Sequence, residues 1–272
     1  MVSPSIGQIA VRVAVGRPLL VGVHMQVRLL GPVDVLADEG PRAVSGRLRK
    51  AVLALLALRP GDLVSVDRMI DVLWGESAPG GARNTVQAHV SYLRRVLGDR
   101  FAIRSHQPGY RLLLGPEGTD VQTAGRLIAQ AREELDPAGR AASAQAALAL
   151  WRGRPLADIS GLPWLAEQAD LLQGLRRQAV QILIEAQLEL GEHARILPGL
   201  ERLAREYPFD EQIHVQLMLA LYRSGRQADA LGVFTRMRRL LRDDLGLAPS
   251  RALRDLSTAI LRQDPELERA GR

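Results

Sequence analysis

Between Ala82 and Gly98 the sequence reads ARNTVQAHVSYLRRVLG. At about 100° per residue, Val86, Val90, Leu93 and Leu97 fall on one narrow stripe, which predicts an amphipathic helix with that stripe buried. The opposite side is centred on Asn84, Ala88, Ser91 and Arg95, flanked by Gln87 and Arg94 on one edge and by Thr85 and Tyr92 on the other. It carries no carboxylate. A solvated helix face ordinarily mixes acids with bases, because opposite charges four residues apart support each other. Amides, hydroxyls and guanidinium groups around one small residue are instead the groups that dock against phosphates and base edges. At the centre, Ala88 lets the helix approach a groove floor from which a longer side chain would hold it away.

Catalytic and metal chemistry lack the residues they need. There is no cysteine, which excludes disulfides and thiolate sites. The histidines, His24, His89, His106, His193 and His214, show neither HxxxH nor HExxH spacing. No GxSxG elbow and no glycine-rich nucleotide fingerprint occurs, and the carboxylates are scattered over helix faces. The chain therefore reads as a non-enzyme with no catalytic residues, no metal and no cofactor. No apolar run approaches the roughly 18–20 residues of a membrane span, and VLALLAL at 52–58 reads as helix core, so the cytoplasm, at the nucleoid, is the expected compartment.

Charge points the same way as the opening helix. The net charge is +6. Over residues 1–118 there are 15 bases against 9 acids, whereas from 119 onward 21 face 21. Between 83 and 111 six arginines stand against the single acid Asp99, a focused basic patch of the kind that marks a polyanion binder.

The elements that must position this helix follow from periodicity. Residues 1–24 have no signal-peptide pattern and read as a disordered tail, a mis-assigned start before Met25, or an extra strand. From Met25, apolar residues alternate at Val27, Leu29, Val33 and Val35 around Gly31-Pro32, predicting short strands of a small antiparallel sheet. Ser45 reads as the N-cap of a helix reaching Leu58, with Leu48, Val52, Leu55 and Leu56 inward. Ser65 reads as the cap of a second helix ended by Gly75, with Val66, Ile70, Leu73 and Trp74 inward. After the third helix, FAIRSHQPGYRLLL alternates at Phe101 and Ile103, turns near Pro108-Gly109, and alternates again at Tyr110, Leu112 and Leu114. This is a β-hairpin with Arg104 and Arg111 on its other face. Strands, three helices and a terminal hairpin make a winged helix-turn-helix, whose third helix enters the major groove while an arginine of the wing can lie along the minor groove. The candidate DNA contacts are thus Asn84, Thr85, Gln87, Ala88, Ser91, Tyr92, Arg94, Arg95, Arg104 and Arg111. Arg95 is the leading candidate for a groove contact, to a base or to a phosphate. Arg47, Arg49 and Lys50 oppose the dipole at the start of their helix and are candidates for the DNA backbone or the polymerase. Trp74, Trp151 and Trp164 read as packing residues, and RMRRLLRDD at 236–244 as a solvated helix edge.

A linker, Gly115-Pro116-Glu117-Gly118, precedes an Ala- and Leu-rich helical half. There Gly191 and Gly225 stand 34 residues apart, and aligning them superposes Ala194 on Ala228, Leu197 on Leu231 and Leu200 on Phe234. That is the tetratricopeptide period, in which a glycine turn joins two antiparallel helices and a small alanine permits close crossing. The chain reads as mainly α: an extension at 1–24, an α+β winged helix at 25–118, and an all-α tetratricopeptide-like domain at 119–272.

Several motifs together carry a family resemblance. RLRKAVLALLALRPGDLVSVDRMIDVLWGESAP, NTVQAHVSYLRRVLG and PGYRLLL resemble the DNA-binding domain of the Streptomyces antibiotic regulatory proteins, relatives of the OmpR/PhoB winged helices. ALALWRGRPLADI, WLAEQADLLQGLRRQAVQILIEAQLELG and YRSGRQADALGVFTRMRRLLRDDLGLAPSRALRDL resemble that family's bacterial transcriptional activation domain. The resemblance covers about Met25 to Ile260 and is to the small form, since no GxxxxGK[ST] loop of an ATPase module and no receiver domain is present. It implies a transcriptional activator of secondary-metabolite genes, a head-to-tail homodimer on direct repeats of promoter DNA overlapping the −35 region, with RNA polymerase holoenzyme as partner. The alternative is a scaffold that holds a peptide in the tetratricopeptide-like groove and uses the winged helix for protein contact. A metabolite effector of the helical domain is a third reading, without identifiable pocket residues.

Overall fold

The computed structural model describes residues 25–99 and 102–268, so the extension at 1–24 and Phe101 lie outside the described residues. The alternating segment after Met25 forms β1 (Gln26–Arg28) and β2 (Asp34–Ala37), antiparallel with Val27 opposite Val35. A third strand, β3 (Gly40–Ala43), pairs with β2. Its sequence, GPRA, has neither β-branched residues nor apolar alternation, so only pairing with β2 makes it a strand.

Helix α1 (Arg47–Ala57) starts one residue later than a Ser45 cap predicts. Gly46 is the N-cap, at φ 90°, with no side-chain cap bond, and Ser45 instead donates its N–H to the Tyr92 hydroxyl at 3.2 Å. Positive φ favours glycine, so the residue type at 46 decides where the helix begins. Ala51 to Ala57 are all buried, where the sequence predicts a one-sided stripe. A helix that is apolar all round is covered on every side. Here α1 meets the helices at Val66–Trp74 and Ala82–Val96, the strand at Gly109–Leu112 and a 3-10 turn at Ala157–Ile159 that comes from the second half of the chain.

Strand β4 (Val64–Ser65) leads into α2 (Val66–Trp74), where the Ser65 hydroxyl accepts the Arg68 N–H at 3.1 Å and Gly75 ends the helix, as the sequence predicts. Its buried stripe is Met69, Val72 and Leu73; Val66, Ile70 and Trp74 are half-buried around it, because α2 is faced by α1 and by the helices at Ala82–Val96 and Pro163–Glu189. Helix α3 (Ala82–Val96) precedes the hairpin of β5 (Ile103–His106) and β6 (Gly109–Leu112), and the second sheet has the order β4-β6-β5. Where β6 crosses β4, a Cβ on Gly109 would stand 1.9 Å from the Val64 carbonyl oxygen, so only glycine fits.

The second half is helical: α4 (Asp120–Glu133), α5 (Pro137–Leu148), α6 (Pro163–Glu189), α7 (His193–Glu206), α8 (Glu211–Arg223), α9 (Gln227–Leu245) and α10 (Arg251–Arg262). Gly191 and Gly225 both adopt left-handed φ, 78° and 75°, at the turns from α6 to α7 and from α8 to α9. The 34-residue spacing therefore marks two helix-turn-helix units. Leu197 and Leu200 are buried, with Leu231 and Phe234 packed against the same core. Ala194 and Ala228 are exposed, so they do not make the close crossing predicted for them; the fully buried small residues of these helices include Ala186, Ala220 and Ala230. Among the described residues no helix is long and apolar enough to cross a membrane.

The hydrophobic core does not part at the linker. Gly118 accepts the Val27 N–H at 2.8 Å, and Thr119 bridges β1 in parallel. One continuous core runs from β1, β2 and α1–α3 into Ala124, Leu156, Ile159, Leu165 and Leu172, and a second begins near Ile184 on the same α6. The two halves meet at the turn between β1 and β2. Asp120, 1% exposed, accepts the N–H of Leu29 at 2.8 Å and of Leu30 at 2.9 Å, with Arg152 at 3.8 Å. Burial pushes its carboxyl up, while those amides and Arg152 favour the anion. Leu30 and Leu29 in turn accept the N–H groups of Arg152 and Leu156. Asp158 accepts the Val33 N–H at 3.1 Å and pairs with Lys50. Leu156, fully buried at φ 55°, holds a left-handed conformation that costs an L-residue about 1–2 kcal/mol, offset by its burial.

This junction gives a stability prediction. Replacing Asp120 by Ala leaves two buried amides without an acceptor, at about 1–3 kcal/mol each, and should lower the urea midpoint for the first core, which the fluorescence of Trp74, Trp151 and Trp164 reports. An unchanged midpoint would show that the contact is dispensable.

Candidate nucleic-acid interface

Helix α3 buries the predicted stripe: Val86 and Leu93 are 0% exposed, Val90 and Leu97 1%. Its other side stands in solvent, with Asn84, Gln87, Ala88, Ser91 and Arg95 exposed and Thr85, Tyr92 and Arg94 half-buried. Thr85 donates its hydroxyl back to the Gly81 carbonyl at 3.2 Å, the N-cap Gly81 supplies no side-chain acceptor, and the Ala82 N–H is taken by the Pro79 carbonyl at 2.9 Å. Arg83 on the same turn is paired with Asp67. His89 is half-buried; burial, then Arg49, push it below its ordinary value, so it is neutral near pH 7 and adds no charge to this face.

Two of the predicted contacts are held by the protein itself. The Arg94 guanidinium donates to the Ile103 carbonyl from Nε and Nη2, at 2.9 and 2.8 Å, and to the Ser105 hydroxyl at 3.0 Å. It clamps α3 to the first strand of the wing. The Tyr92 hydroxyl accepts the Ser45 N–H, and Arg49 lies over the Tyr92 ring at 4.1 Å. Arg95 stays exposed at the edge of this stack, 5.9 Å from the ring centre. It has no hydrogen-bond or carboxylate partner among the described residues. In the wing, Arg104 pairs in register with Arg111 on one face; Arg104 is exposed, whereas Arg111 is half-buried with its Nε unpartnered.

The three basic residues at the start of α1 have separate fates. Lys50 is engaged by Asp158 of the second half, Arg49 by Tyr92, and Arg47 is exposed with its guanidinium beside Gly161. Arg49 shares the Tyr92 ring with Arg95, whereas Lys50 and Arg47 turn to the second half of the chain. Sequence reasoning misses Arg42: from β3 it donates to the Val96 carbonyl at 3.2 Å and closes the C-terminal end of α3. No local signal marks it, because the strand that carries it is itself invisible in the sequence. Among the described residues no group of three His, Asp or Glu could hold a metal ion.

Known proteins place the chain. The family model described as "Transcriptional regulatory protein, C terminal" matches residues 46–112, and "Bacterial transcriptional activator domain" matches 119–261. Regulatory protein DnrI of Streptomyces peucetius is 36% identical over 264 residues, covering 91% of this chain and 96% of DnrI. Transcriptional regulatory protein EmbR of Mycobacterium tuberculosis (strain ATCC 25618 / H37Rv) is 36% identical over 248 residues, and the chain spans only 63% of its length. A solved structure of Mycobacterium tuberculosis EmbR, in complex with a low-affinity phosphopeptide, superposes with a TM-score of 0.83 at 33% identity, covering 90% of this chain and 68% of that one. In sequence and fold alike, an OmpR/PhoB-type winged helix is joined to a bacterial transcriptional activator domain, and the chain belongs to the Streptomyces antibiotic regulatory protein family of transcription regulators.

Proposed function

We propose that the chain is a sequence-specific transcriptional activator of secondary-metabolite genes, that α3 reads the major groove of promoter DNA, and that the hairpin wing lies beside it. The observation that carries this reading is the exposed, carboxylate-free face of α3 with Arg95 unpaired at its end. Asn84, Gln87 and Ser91 supply amides and a hydroxyl for bases and phosphates, Ala88 leaves room for the groove floor, and Arg104 extends the contact from the wing. Arg94 and Tyr92 act differently from a direct reader: they fix the wing and α1 against α3, so that the contacting groups are held in register. Thr85, turned to Gly81, and Arg111, half-buried, are second-rank contacts.

The activator half is tied to the DNA-reading half through a shared core and through Asp120 and Asp158. Two copies on direct repeats then present the same helical surface in the same direction, which suits head-to-tail binding by the −35 region and recruitment of RNA polymerase. A single winged helix reads a short element and binds weakly, so cooperativity between adjacent copies follows.

Two variants test the division of labour by mobility shift across a salt series, on promoter fragments from the chain's own gene neighbourhood and on an unrelated duplex. Arg95→Ala should lose about 1–3 kcal/mol on the target promoter, roughly a 5- to 150-fold weakening, while binding to the unrelated duplex falls much less. If it weakens both alike, Arg95 is a phosphate contact; if neither changes, it is not in the interface. Arg94→Ala should weaken both duplexes by similar factors and keep the sequence preference, since it loosens the wing and leaves the reading groups in place. A selective loss of preference in Arg94→Ala would instead make it a base reader. No promoter preference in the wild type would leave the scaffold reading in its place.

A further inference from the structure

The second half carries a groove that the DNA-reading face does not explain. It is a cleft of about 410 Å³ between α7 and the two helices that the Gly225 turn joins, α8 and α9. Six titratable side chains line it: Glu201 and Arg205 from α7, His214 from α8, and Arg226, Asp229 and Arg236 at or on α9. Their pairing is unequal. Arg226 holds both acids, Asp229 at 2.7 Å and Glu201 at 3.8 Å. His214 turns its Nδ1 to the Asp210 carbonyl at 2.9 Å. Arg205 and Arg236 are left with no hydrogen-bond or ion-pair partner among the described residues, and three guanidinium groups stand against two carboxylates, so the groove carries a net positive charge.

Two further features favour an anion there. The first turn of α9 opens on the groove with no side-chain acceptor from its N-cap Arg226, and the acid of that turn, Asp229, is already paired with Arg226. Small residues keep that space open: Ala204, Ala228 and Gly232 line it, and a Cβ on Gly232 would stand 3.4 Å from Nη1 of Arg236, which places this guanidinium over the groove floor. Leu217, Leu221 and Val233 give the floor an apolar strip beside the charges.

We infer that this groove binds an acidic peptide segment of a partner protein, with carboxylates on Arg205 and Arg236 and an apolar side chain against Leu217, Leu221 and Val233. Bidentate guanidinium–carboxylate pairing supplies direction, and the helical walls exclude a bulky or cationic segment. The site lies on α7–α9, away from the α3 face, and stands or falls independently of DNA reading.

The test uses the full chain and a fluorescein-labelled peptide of alternating Glu and Leu residues, followed by fluorescence anisotropy. Saturable binding is expected that weakens with salt, falls by at least about tenfold in the Arg205→Glu/Arg236→Glu double variant, and is unchanged in Arg238→Glu, a control on the same helix. Ala228→Gln, which fills the groove from an exposed helical position without changing charge, should also weaken it, and the variants should keep the mobility shift on promoter DNA. Absence of saturable binding, equal binding by the double variant and the wild type, or displacement of the peptide by duplex DNA would each overturn the inference. Failure of DNA binding in the wild type would overturn the α3 reading alone.

Discussion

The architecture depends on one buried carboxylate. Asp120 opens α4 and accepts the backbone amides of Leu29 and Leu30, which lie at the turn out of β1. Those amides have no strand partner at that turn and would be orphaned donors in the core, a cost that buried backbone rarely tolerates. Around the same turn, Leu29 and Leu30 accept from Leu156 and Arg152, and Asp158 accepts from Val33 while holding Lys50 of α1. The N-terminal sheet is therefore bonded to the helical half, whose Asp158 also holds α1 through Lys50. Orientation between the halves is set by backbone hydrogen bonds, which are directional, and sealed by Leu156, Ile159 and Leu165 in the common core.

That rigidity reaches the carboxylate-free face of α3 through α1. Lys50 is fixed by Asp158, its neighbour Arg49 lies on Tyr92 of α3, and the Tyr92 hydroxyl caps the Ser45 amide. At the same C-terminal end of α3, Arg94 grips the wing and Arg42 closes the last turn. Basic residues in this domain thus divide into those that hold the frame, Arg42, Arg49, Lys50 and Arg94, and those that stand free of it, Arg95 and Arg104. A side chain committed to a protein carbonyl at 2.8 Å is poorly placed to reach a base, yet its absence would let the neighbouring groups drift.

The helical half shows how a period becomes a surface. Glycines at 191 and 225 adopt the same left-handed turn because no side chain opposes it, and each reverses the chain onto the preceding helix. Stacking the resulting units buries Leu200, Leu217, Leu221 and Val233 and leaves a groove between α7 and α9 whose charge is decided by which arginines find acids. The alanines that align at this period, Ala194 and Ala228, are exposed; Ala228 shapes the groove and not the core.

The sequence by itself determined what local physics controls. Val86, Val90, Leu93 and Leu97 recur at the helical period, so the buried stripe and the carboxylate-free face of α3 follow from spacing alone. Ser65, Gly75, Gly191 and Gly225 mark element ends because a hydroxyl cap or a positive φ is a property of one residue. The 34-residue repeat and the hairpin alternation are equally local. Only the tertiary structure decided that GPRA is a strand, that Gly46 and not Ser45 starts α1, that Ala51 to Ala57 are enclosed on all sides, and that the core runs past the linker to Leu172. It also decided that Arg94 holds the wing while Arg95 is free, although the two are adjacent and identical in type. Each of these depends on what a residue meets across a long stretch of chain, and side-chain type and spacing carry no record of that partner.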